Sequence, residues 1–106
     1  MAHPEFMRQI IPALVTSVAL HYPIAYIRSI SFMVHNKVVA ACFWHDQQQV
    51  ERSQVIRDRD QHGGCFVYAS TEHIRESEVE INGTDDQGQE FIISVPYRRI
   101  LPNRAA

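Results

Sequence analysis

The chain has 106 residues, 45% of them hydrophobic and 21% charged, with a formal net charge of −2 and a mean hydropathy of −0.22. That length suits one domain that buries a core without disulfides or metal, and the composition argues against a disordered chain and against a membrane protein. The slightly acidic balance removes any global pull toward nucleic acid, which needs a basic face against the phosphates.

Charge is uneven along the chain: residues 1–50 hold Arg8, Arg28 and Lys37 against Glu5 and Asp46, and most of the charge lies beyond them. The 2 cysteines are too few for a disulfide framework. At apolar, strand-like positions they read as small buried hydrophobes in a reducing, cytoplasmic compartment. The whole of 1–106 reads as a single domain. Residues 1–6 have the look of a cloning remnant, which puts the expected natural start at Met7.

The first element is a helix over 7–22. On a helical wheel Phe6, Met7, Ile10, Ile11, Leu14, Val15 and Val18 cover one half, while Arg8, Gln9, Pro12 and Thr16 lie on the other. Pro12 has no amide hydrogen and clashes with the preceding turn, so regular helix is expected from about Ile11. The apolar run from Ile10 to Leu20 is too short to span a bilayer. With acidic Glu5 and the single basic Arg8 before it, the run reads as a structural helix and not as a signal-peptide core.

From Ile24 the period changes to two. Ile24, Tyr26, Ile30, Phe32 and Val34 point one way and Ala25, Ser29, Ser31 and His35 the other, which predicts a strand. Asn36 and Lys37 are expected to form a turn, and VVAACFWH then returns as a second strand. That strand is apolar on both faces, so both should be covered: one by the helix, the other by a second sheet or another subunit. Residues 47–60 fit neither period and read as an exposed strand in preference to a helix. Gly63 and Gly64 mark a turn, CFVYAS a strand, and SEVEIN with EFIISV a last hairpin around the polar loop GTDDQGQ. The fold class is therefore α+β and β-rich: an N-terminal helix on a strongly bent antiparallel sheet or small barrel of five to six strands over 24–101.

Three constellations carry candidate chemistry. Cys42 with His45, and His62 with Cys65, are each three apart, a spacing that admits a Cys2His2 zinc ion. Residues i and i+3 on a strand face opposite sides, however, and Phe43 and Trp44 between the first pair seek burial. Two packed thiols and two ordinary histidines are the preferred reading, with no metal or other cofactor expected. Cys42 near His35, His45 or His73 would be a catalytic thiol only if ionised, and apolar burial opposes that. Asp85 and Asp86, beside glycines, read as turn residues.

The arginines form two groups. Arg52, Arg57 and Arg59 are diluted by Glu51, Asp58 and Asp60, which leaves Arg98, Arg99 and Arg104 beside Tyr97 as the candidate surface for nucleic acid or another partner. An alternative is a small-molecule pocket, or a minor enzyme built on it, lined by Tyr26, Phe32, Trp44 and Tyr68 with His35 or His45 for polar contact.

The order of elements, with ISFMVHNKVVAACFWHDQQQV leading to Asp46 and FIISVPYRRILP at the close, resembles the Sm-like family of small β-barrels. The first segment is similar to that family's first motif, and VPYRRI stands in the place of its strand connector. The resemblance implies a five-stranded bent barrel, assembly into rings and RNA as ligand. Taken with the residues themselves, the expected function is a non-enzymatic, homo-oligomeric binding or assembly module.

Overall fold

Residues 4–44, 50–52, 55 and 64–101 are described by the computed structural model. The first helix, α1, runs Pro4–Ala19 and continues through Pro12. It therefore begins earlier than the expected Met7 and ends before the expected Tyr22. The helix tolerates Pro12 because one missing N–H removes a single rung, and Thr16 Oγ1 donates to the Pro12 carbonyl at 2.9 Å in the next turn. Its last turn closes where His21 N and Tyr22 N donate to Val18 O. Met7, Ile11, Leu14, Val15 and Val18 are buried, the helical stripe that the periodicity marks out.

The strands are β1 (Ile24–Val34), β2 (Lys37–Phe43), β3 (Val50–Glu51), β4 (Gly64–Val67), β5 (Glu78–Asp85) and β6 (Glu90–Pro96). They form one antiparallel sheet in the order β4-β2-β1-β5-β6, with β3 also pairing β1. The sheet is open, with β4 and β6 at its edges. Of the two architectures expected, the helix on a bent sheet is the one formed. Short helices missed from the sequence include α2 (Thr71–Arg75) and α3 (Tyr97–Ile100).

β1 organises the sheet and its bulges bend it. The register shifts once against β2 and twice against β5, each shift adding local twist. Strict alternation consequently fails: Ile24, Ile27, Ile30 and Phe32 are the buried positions, and Tyr26, expected inside, is exposed. The β1–β2 turn is also displaced by one residue. His35 (φ 51°) and Asn36 (φ 62°) occupy its centre, the double positive φ of a type I′ turn, and Lys37 already belongs to β2.

β2 and β3 together form the partner of β1. Phe43 faces Ser29 and Val50 faces Ile27, while Trp44 N bridges to Arg28 O at 3.3 Å. Residues 45–49 lie outside the described residues. Within the expected exposed strand over 47–60, the described residues are strand at Val50–Glu51 and helical at Arg52 and Val55, with Val55 buried; the rest of the span lies outside the described residues.

Cross-strand rows make the core. Ile30 faces both Cys42 and Ile81, and Ile81 faces Ile93; Phe32 faces Ala40 and Val79, and Val79 faces Val95. All of these are buried against α1. The outer face is polar at its centre, with Ser29, Ser31, Glu80, Asn82 and Ser94, but apolar toward β4. There Ala41 pairs Phe66, the Phe66 and Tyr68 rings are 5.0 Å apart, and Phe43 is 44% and Tyr68 72% exposed. Val38–Phe43 of VVAACFW is therefore extended as expected, with Ala40, Cys42 and Trp44 buried in the core, but the segment is not covered throughout: Val38 and Phe43 are exposed and Val39 is half-buried.

The last hairpin is longer than expected. Gly83 and Thr84 belong to β5 and are buried, so the loop shrinks to 86–89. Asp85 Oδ1 accepts from Gln87 N and Gln89 N at 2.9 Å each, an Asx arrangement that closes the turn with Gly88 at φ 79°.

Candidate functional site

The site begins with Pro96. Its ring fixes φ at −60° and it has no N–H to continue the ladder, so β6 stops and the chain turns into α3. Tyr97 N donates to Ser77 O at 2.9 Å, which ties α3 to the segment leaving α2. That segment is itself held. Ser70 caps α2 by accepting from His73 N at 3.2 Å, Ile74 is buried, and Ser77 Oγ donates back to Ile74 O.

This anchoring divides the YRR motif. Tyr97 turns inward, buried, with its ring centroid 6.4 Å from that of Phe32. Arg98 and Arg99 stay exposed. The Arg75 guanidinium reaches the Tyr97 hydroxyl and also lies over the Phe6 ring, 5.8 Å from its centroid. Burial raises the Tyr97 hydroxyl pKa above 10.0, with Arg75 opposing the rise. Stability from the neutral hydroxyl is therefore complete below pH 10 and lost as pH climbs through the raised value, because the unfolded chain ionises first. In urea denaturation on either side of pH ~10, Tyr97→Phe should lose less stability on the alkaline side than the native chain. Equal losses would exclude Tyr97 as the titrating group.

Between α1 and α3 runs an open groove of about 730 Å³. Ile10, Pro12 and Ala13 form one wall, Ile100 and Leu101 the other, with Arg75 and Arg98 at the rim and Gln9, Thr16 and Ser17 as polar contacts. Past Ser17 and Ile100 it continues into a second hollow of about 590 Å³, where Arg99, His21 and Tyr22 join the lining. The result is an apolar trough with cationic sides. Arg98 is within 3.5 Å of Glu76, but both are well exposed, so this pair holds the guanidinium only loosely.

Other candidate residues are placed differently. Arg104, His45 and His62 lie outside the described residues, as do Arg57 and Arg59. The alternative pocket set is not brought together: Phe32 and Trp44 are core, whereas Tyr26, His35 and Tyr68 are at the surface. Of the zinc set, Cys42 and Cys65 meet, Sγ to Sγ at 3.1 Å, directly across β2 and β4. Among the described residues no group of three metal-ligating side chains converges. Arg75, Gln9, Thr16 and Ser17 escaped sequence reasoning. Nothing local in the sequence marks them, because α1 and α2 meet α3 only in the fold.

No family model matches the chain, and neither a curated protein nor a solved structure matches it.

Proposed function

We propose that the chain is a non-enzymatic binding and assembly module that takes an acidic, amphipathic peptide segment of a protein partner into the α1–α3 groove. The observation that carries this reading is the pairing of an apolar trough with Arg75, Arg98 and Arg99 along it. An extended or helical segment with leucine-like and carboxylate side chains matches both parts. Nucleic acid fits less well: Tyr97, the aromatic beside the arginines, is buried with little of its ring open to base stacking, and the net charge is −2. The reducing cytoplasmic compartment inferred from cysteine usage belongs to the same reading. Among the described residues no helix is long and apolar enough to cross a membrane.

The test is fluorescence anisotropy with a labelled peptide of alternating leucine and glutamate. Affinity should fall from low to high salt, and the double variant Arg98→Ala/Arg99→Ala should bind about tenfold more weakly. An affinity indifferent to salt, or to loss of both arginines, would remove the groove as the site.

Self-association is a second part of the proposal, favoured by the exposed Phe43 and Tyr68 beside Phe66 on one side of the sheet. Light scattering should give a multiple of 12.2 kDa for the native chain, and Phe43→Glu should shift it toward the monomer. A native chain that scatters as a monomer at all concentrations would end this part.

A further inference from the structure

Cys42 and Cys65 are 23 positions apart in sequence and face each other in the β2–β4 ladder. The hydrogen-bond phase of that ladder decides how closely their side chains stand. Tyr68 N donates to Val39 O at 2.7 Å, which marks Val39–Tyr68 as a hydrogen-bonded pair. Pairs alternate along an antiparallel ladder, so Ala41–Phe66 is the next of that type and Cys42–Cys65 falls on a non-hydrogen-bonded position. At such positions the Cα atoms are about 4.5 Å apart and the side chains closest, inside the ~4.4–6.8 Å range that a disulfide spans. The sulfurs are in contact at 3.1 Å as two thiols.

Their surroundings differ. Cys42 is fully buried among Ile30 and the core, whereas Cys65, on the edge strand, is half-buried and reachable from solvent. A reagent therefore meets Cys65 first, and Cys42 stands behind it as the resolving sulfur.

We propose that Cys42 and Cys65 form a reversible dithiol–disulfide site whose co-reactant is a small disulfide of the glutathione class. The Cys65 thiolate attacks one sulfur of the small disulfide; that S–S bond breaks, and one small thiolate leaves and takes up a proton. Cys42 Sγ then attacks the Cys65 sulfur of the mixed disulfide, giving up its proton as it does so; the Cys42–Cys65 bond forms and the second small thiolate is expelled and takes up a proton. Two protein thiols lose two electrons and two protons; one small disulfide becomes two thiols. An excess of the reduced small thiol reverses both steps. The product ties β4, an edge strand among the described residues, to β2 and closes the loop that carries β3.

The experiment uses the whole 106-residue chain with oxidised glutathione, followed by alkylation in denaturant and intact-mass measurement. The native chain should become refractory to alkylation at both cysteines, lose two hydrogens, yield a Cys42–Cys65 crosslinked peptide, and melt roughly 10 °C higher, all reversed by reduced glutathione. Cys42→Ser should stop at the mixed disulfide, gaining one glutathione on Cys65, while Cys65→Ser should stay unmodified. Full alkylation of both cysteines in the oxidised native chain, or crosslinks only between chains, would overturn the proposal whether or not either variant folds. The outcome is independent of the groove and its arginines.

Discussion

Gly83→Ala is expected to cost about 3 kcal/mol or more of folding stability, enough to leave the variant partly unfolded or insoluble. A Cβ at Gly83 would lie 2.1 Å from the Tyr26 carbonyl oxygen, with the Tyr26 carbonyl carbon and Ile27 Cα also closer than ordinary contact. Those are backbone atoms of the neighbouring strand, so no rotamer change relieves the clash. The approach exists because β1 bulges on both sides of this point, between Ile24 and Tyr26 and between Ile27 and Ser29. Gly88→Ala is the control. Nothing lies within 4 Å of a Cβ there, but φ is +79°, so its cost is the left-handed backbone alone, about 1–2 kcal/mol. Urea denaturation of both variants separates the two causes. A Gly83→Ala protein as stable as the Gly88→Ala one would mean that β1 and β5 do not cross so closely.

Phe32→Ala is expected to destabilise by about 3–5 kcal/mol, a large part of the ~5–15 kcal/mol that holds a domain of this size. Phe32 is completely buried, faces Ala40 on one side and Val79 on the other, and carries the Tyr97 ring against its own. Two small neighbours cannot collapse into the void, so the cavity persists and the cost lies toward the upper end. Because Tyr97 rests on it, the same change should loosen α3 and weaken groove binding more than Leu14→Ala, which opens the core beneath α1 at another fully buried position. Melting temperature and peptide anisotropy measured on both variants check this. Equal losses of binding at equal losses of stability would show that Phe32 supports the fold and nothing specific to the groove.

These two positions also show where reading residues in order stops working. Phe32 is legible from the alternation around it, as are Ile30, Val79, Ile81, Ile93 and Val95, because a strand with one buried face has period two. Gly83 is not legible: in GTDDQGQ it has the appearance of a loop glycine, and only the proximity of β1 makes it a strand residue without room for a side chain. Tyr26 and Ile27 exchange roles for the same reason, since a bulge shifts which residue points inward and no local residue type announces it. For the groove, Arg98 and Arg99 stood out as charge beside an aromatic, yet Tyr97 turned out to be core and its partner Arg75 comes from a separate element. The two cysteines were visible as apolar strand residues, and their contact required the β2–β4 register.

The amphipathic helix, the β1–β2 and β5–β6 hairpins and the β-rich α+β class were determined by the sequence itself, because each arises from side-chain periodicity and turn chemistry within a short window. The tertiary structure alone decided the bulges of β1, the tight crossing at Gly83, the groove between α1 and α3, and the meeting of Cys42 with Cys65. Each of those depends on register between segments distant along the chain, a quantity that packing and ladder hydrogen bonds select once the strands have come together.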